Sequence, residues 1–151
     1  MDNHDIVKML NELIETCKDG EYGFSTCAEH AQSAELRTLF RNRAQDCRTG
    51  GQQLQELVRE CGGKPDERGS ATGAIHRGWV AALGTIAGAS DERMLEEAER
   101  GEDAAVARYR KALKQDGLPP SVRGVIERQM TGVLRNHDQV KALRDRLHAH
   151  H

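Results

Sequence analysis

Ala31-Gln32-Ser33-Ala34-Glu35-Leu36 decides the architecture, because it is all that separates two long runs of helical periodicity. Before it, Ile6, Leu10, Leu13, Ile14, Cys17, Phe24 and Ala28 recur at three- and four-residue spacing. That pattern predicts a first helix over 4–31, about seven turns, with Asn3 as N-cap. After it, Ser33 is placed to cap a second helix over 34–61 with Glu35 in its first turn. Leu36, Phe40, Ala44, Cys47, Gly51, Leu54, Val58 and Cys61 carry its stripe to a stop at Gly62-Gly63-Lys64-Pro65. Two long helices joined so briefly lie antiparallel, side by side.

A second hairpin follows. Asp91-Glu92 suits the positive end of a helix dipole and opens a third long helix over 91–116, with Met94, Leu95, Ala98, Ala105, Val106, Tyr109 and Ala112 on one side and Gly117 as its stop. Pro119-Pro120 opens a fourth over 120–148, where Val122, Ile126, Val133, Val140 and Leu147 form the stripe. Between the hairpins, Ser70 can cap a short helix over 71–87 containing Ile75, Trp79, Leu83 and Ile86. Trp79 is read as an anchor for that helix and His76 as a surface or hydrogen-bonding residue. Sixteen helical residues span about 24 Å, so this segment can travel the length of a bundle. The expectation is one all-α domain over 1–151, an up-down-down-up four-helix bundle with an extra helix in its long crossover, as in ferritin-like folds.

Composition agrees. The 151 residues are 37% hydrophobic, 30% charged and only 3% aromatic, a balance that suits solvated helices and not a sandwich or barrel. A net charge of −2 and the lack of a basic tail argue against a nucleic-acid partner. The longest uncharged run, Gly78 to Ser90, is too short and too Gly-rich to span a membrane. Met1-Asp2-Asn3-His4-Asp5 is the reverse of a signal peptide's basic start, so a cytoplasmic location is expected. Cys17, Cys27, Cys47 and Cys61 show no zinc-type spacing and read as free thiols.

Ionisable residues on the apolar stripes are the places to look for chemistry. On helical wheels Glu21 points inward on the first helix, Glu102 on the third with Glu99 at the edge, and His137 on the fourth. All three fall near one level of an up-down-down-up bundle, where the second helix offers Asp46. A two-iron carboxylate centre takes a Glu from each of two helices and Glu-x-x-His from each of the others. Here the second helix reads Gln45-Asp46-Cys47-Arg48, and Leu134 stands three residues before His137. The most these residues allow is a single-metal site for iron or manganese from Glu21, Glu102 and His137, with Asp46 and Glu99 as additional ligands. The alternative is a buried hydrogen-bond and charge network with Arg43, Gln129 or Tyr109.

Of the fifteen glycines, Gly20, Gly23, Gly50, Gly51, Gly101 and Gly132 fall inside predicted helices, where each costs about 1 kcal/mol relative to Ala. Close helix approach or room for a small ligand would offset that cost. Both point to the bundle centre.

Asn11-Glu12-Leu13-Ile14-Glu15-Thr16-Cys17-Lys18-Asp19-Gly20-Glu21, Ala74-Ile75-His76-Arg77-Gly78-Trp79, Glu99-Arg100-Gly101-Glu102-Asp103-Ala104-Ala105 and Leu118-Pro119-Pro120 resemble, in this order, the bacterial ferritin-like four-helix-bundle family of unknown function. The resemblance implies a ferritin-like fold and no established activity. Two functions are carried forward. One is a non-enzymatic bundle that binds or self-associates as a homo-oligomer, in a stress setting by fold-level analogy. The other is a metal-dependent oxidase or iron-handling protein with a degenerate centre.

Overall fold

The computed structural model describes residues 1–65 and 88–149. It contains α1 (Asn3–His30), α2 (Ala34–Glu60), α3 (Asp91–Leu113) and α4 (Pro120–Ala149), with no strand among the described residues. The expected crossover helix, with His76 and Trp79, lies outside the described residues.

Local chemistry sets the helix ends. Asp2, not Asn3, caps α1: its Oδ1 accepts from the Asp5 backbone N–H at 2.8 Å. Asn3 has turned into the first helical position, where its amide donates to the Cys61 carbonyl at 3.4 Å. Ser33 and Ser90 cap α2 and α3, accepting from Leu36 at 3.3 Å and Arg93 at 3.2 Å. At the end of α2, Gly62 adopts φ +78° while Gly63 N–H donates to the Val58 carbonyl at 2.9 Å, a left-handed stop that suits glycine. Helix α3 ends at Leu113, earlier than the expected 116, and the chain turns through Gly117 at φ +82°.

Contacts between helix ends establish direction. The start of α1 meets the end of α2 through Asn3 and Cys61. The start of α3 meets the α1–α2 turn, where the Asp91 carboxylate accepts from the Gln32 and Ser33 backbone N–H groups at 2.8 and 2.9 Å. The start of α2 meets the end of α4 through Glu35 and Arg146, 3.2 Å apart. So α1 and α4 run one way and α2 and α3 the other, giving the expected up-down-down-up order. Adjacent pairs are α1/α2, α3/α4, α1/α3 and α2/α4, all antiparallel, while α2 and α3 face each other across the diagonal. Cys61 and Asp91 stand at opposite ends of the bundle, as a long crossover requires.

The apolar core falls into two clusters. One joins Leu10, Ile14, Leu54, Val58, Val106 and Ile126 at the end where α1 starts. The other joins Phe24, Phe40, Met94, Leu95 and Val140 at the opposite end, with the two rings stacked 6.3 Å apart. Each fully buried Leu, Ile or Phe contributes about 1.5–3 kcal/mol through removal from water. The layer between the clusters is polar.

Candidate functional site

In that layer the four helices enclose a cavity of about 270 Å³, and each contributes a glycine to its wall: Gly20, Gly50, Gly101 and Gly132. The glycines serve different ends. A Cβ at Gly20 would stand 2.8 Å from Cys47 Sγ, so α1 and α2 approach too closely there for a side chain. At Gly50 the nearest atoms would be the Gln129 amide at 3.5 Å and Cys17 Sγ at 3.6 Å, an ordinary fit. At Gly132 a Cβ would meet nothing within 4 Å. Asp46 on α2 and Arg135 on α4 line the cavity yet are exposed, which puts its mouth between those two helices.

Two polar systems meet at the cavity. The first is an ion pair across the diagonal: Arg43 Nε donates to Glu102 Oε1 at 3.1 Å, with both side chains buried. The guanidinium carbon lies 5.5 Å from the centre of the Phe24 ring, which shields one face of the cation. Burial pushes the Glu102 carboxyl above its ordinary pKa, and Arg43 and Asn136 only partly reverse this. Asn136 stands beside Glu102 and counters part of that rise as a hydrogen-bonding amide does, although Glu102 Oε2 and Asn136 Nδ2 fall short of full hydrogen-bond geometry.

The second system ties all four helices together. Tyr109 on α3 donates to Gln129 Oε1 on α4 at 2.8 Å. Gln129 Nε2 in turn donates to the Gly50 carbonyl at 3.1 Å and to Gln53 Oε1 at 3.0 Å, both on α2. Cys17 Sγ on α1 lies 3.4 Å from the Tyr109 oxygen. The phenol's single hydrogen goes to Gln129, so the thiol is the donor and stays protonated. Burial agrees, raising the pKa of Cys17, Cys47 and Tyr109 alike.

The residues singled out as ligands do not all converge. Glu102 reaches the bundle centre, where it belongs to the charge network weighed as the alternative. Asp46 stands at the cavity mouth. Glu21 does not point inward: its side chain is 38% exposed and lies 3.8 Å from Arg48. The inward position is taken by Gly20, which a wheel scored on side chains overlooks. His137 is displaced in the same sense, since its neighbour Asn136 occupies the buried position. His137 faces the groove between α3 and α4, with Nε2 2.8 Å from Asp103 Oδ1 and 3.9 Å from Glu99 Oε1.

Glu99, Asp103 and His137 are the one described group whose ligand atoms lie close enough to share a cation, all within 4.8 Å. Arg144 pairs with the other oxygen of Glu99. Asp103 and Asn136 were missed from sequence, although Glu99-x-x-x-Asp103 places two carboxylates one turn apart on one face. The bundle centre does not fit a two-iron centre. It offers one carboxylate, already paired with a guanidinium, among thiols, a phenol and amides, so a fixed positive charge stands where dications would sit.

Among solved structures the chain is similar to the bacterioferritin-related protein from Bacteroides fragilis, described as a dodecameric thioferritin. The TM-score is 0.78 at 14% identity, over 99% of this chain and 90% of that one, which shows a ferritin-like fold. No curated protein matches the chain. No described helix is long and apolar enough to cross a membrane. Residues 5–115 match the model of the domain of unknown function DUF2383, and the chain therefore belongs to that family of ferritin-like bundles.

Proposed function

We propose that this protein is a non-enzymatic binding bundle that holds a small molecule in the cavity between its four helices. One observation carries the reading: the layer that houses metal chemistry in the ferritin-like plan holds instead a cavity walled by a buried Arg43–Glu102 ion pair whose second carboxylate oxygen, Glu102 Oε2, is unfilled. Buried free thiols suit a reducing cytoplasm. The dodecameric neighbour and the exposed Tyr22 ring support assembly as a homo-oligomer. The test is mass spectrometry of protein purified without a nickel column, denatured to release its contents. A stoichiometric organic molecule is expected; none, from several growth conditions, would sink the reading.

A second reading, metal handling, rests on Glu99, Asp103 and His137. Two carboxylates and an imidazole suit a single divalent ion such as manganese or iron, with open positions for water. Metal analysis of the same preparation after aerobic loading decides it. One ion per chain, lost in His137→Ala and Asp103→Ala, favours it; no bound ion removes it.

A further inference from the structure

We propose that Cys17 and Cys47 form a two-thiolate site for one cuprous ion in the wall of the central cavity. Both thiols line that cavity, one from α1 and one from α2. They pack reciprocally, each over a glycine of the opposite helix. Cys47 Sγ stands 2.8 Å from the place of a Gly20 Cβ, and Cys17 Sγ 3.6 Å from that of a Gly50 Cβ. Each cysteine thus lies one turn from the glycine over which the other sits. The directly facing pairs are Cys17 with Gly51, 3.4 Å between Cβ positions, and Cys47 with Gly20, 3.7 Å. Cys17 and Cys47 form the diagonal of that rectangle. With side chains one turn apart about 5–6 Å from each other, the diagonal is about 6–7 Å between Cβ atoms. A disulfide requires about 3.5–4.5 Å there. Two opposed metal–sulfur bonds of about 2.3 Å each fill the longer gap.

Donor chemistry narrows the ion. Thiolates select soft cations, Cu(I) and Zn(II) among them, over the harder iron and manganese ions. Zinc takes four ligands in a tetrahedron. Among the described residues, the one trio of His, Cys, Asp or Glu atoms close enough to share an ion is Glu99, Asp103 and His137. No third group of those types therefore joins the two sulfurs. An ion content with two ligands is what the pair can hold, and Cu(I) between two thiolates is two-coordinate and linear.

Charge agrees with this. Arg43, Arg135, Asp46 and Glu102 cancel around the cavity, so a bound species must change the balance little. Exchange of two thiol protons for one Cu(I) adds a single negative charge. Arg43 stands one turn before Cys47 on α2, is 8% exposed, and donates to a described residue through Nε alone. Its terminal nitrogens are left to offset that charge. Tyr109 keeps its hydrogen bond to Gln129 when the Cys17 proton leaves. The site occupies the wall and not the space, so it does not depend on which molecule fills the cavity.

The experiment loads the full-length chain with Cu(I) under reducing, anaerobic conditions and challenges it with bathocuproine disulfonate. Cys61→Ser is the background, since Cys61 is the partly exposed thiol. One ion per chain is expected to resist the chelator, with two sulfur neighbours by X-ray absorption. Affinity should rise about a hundredfold per pH unit, because two protons are displaced. Cys17→Ala and Cys47→Ala should each weaken binding by more than about a hundredfold, beyond the loss of an outer-shell partner, while Cys27→Ala should not. The pH slope and the sulfur count are read with both thiols present, so the test holds if an alanine variant does not fold. No retained ion, a single sulfur neighbour, or undiminished affinity in Cys17→Ala or Cys47→Ala would overturn the site. An organic molecule retained without copper would remove this site alone and leave the cavity reading in place.

Discussion

Arg43 on α2 and Glu102 on α3 form an ion pair across the diagonal of the bundle, Nε to Oε1 at 3.1 Å, between helices that are not packed neighbours. The pair occupies the gap between the two apolar clusters. Burying two charges is expensive, and their attraction only repays it while both are present. Arg43→Met and Glu102→Leu alone should each lower stability by about 3–5 kcal/mol, whereas the double variant should be close to the parent or more stable. Urea unfolding of all four proteins measures this; additive losses in the double variant would refute it.

Glu102 also sets a pH dependence with a definite sign. Its folded pKa is raised, so between the ordinary carboxylate pKa and that raised value the folded state holds more proton than the unfolded chain. Stability from this group is therefore greatest below the ordinary value and falls as pH rises through the window, then levels off. The difference in unfolding free energy between the parent and Glu102→Gln should move against the parent as pH increases across it. Denaturation series at matched ionic strength give the difference directly, and a shift in the parent's favour would show that Arg43 outweighs burial.

The thiols should divide by exposure. Cys27, pushed up to about 12 by burial, and the buried Cys17 and Cys47 are protonated and shielded at neutral pH. Cys61 alone is partly exposed. Ellman's reagent should label one thiol quickly in the native protein and the other three only at the rate of opening. Rapid labelling of Cys17 or Cys47 would mean that the central layer is open to solvent.

The mid-helix glycines should part company on substitution. Gly20→Ala drives a methyl group into Cys47 and should cost about 1–3 kcal/mol through overpacking. Gly132→Ala meets open space and should stabilise α4 by about 1 kcal/mol. Thermal midpoints of the two variants, displaced in opposite directions, are the readout; equal shifts would contradict the packing difference.

Much of this molecule follows from short-range chemistry. Helix ends depend on residues such as Ser33, Ser90, Gly62 and Pro120 that satisfy or terminate a local ladder, and the 3.6-residue period shows which faces are apolar. Brief connections impose antiparallel neighbours, and a long one sends α3 back in the direction of α2. The three- and four-residue spacings are therefore enough for the bundle and its topology, with the end of α3 falling three residues early, at Leu113, and the other described helix bounds differing by at most one residue.

The site was less legible because it depends on small rotations and on distances between helices. One step around α1 exchanges Glu21 for Gly20, and one step around α4 exchanges His137 for Asn136. A hydrophobic wheel has that much angular error, and a glycine or an amide gives it no signal. Periodicity could show that Glu102 points inward and could suggest Arg43 as a partner. Only packing decided that the two meet across the diagonal, that Tyr109 and Gln129 close a layer beside them, and that a cavity remains. Those outcomes depend on how closely α1 and α2 approach at Gly20 and Cys47, a distance that no single helix encodes.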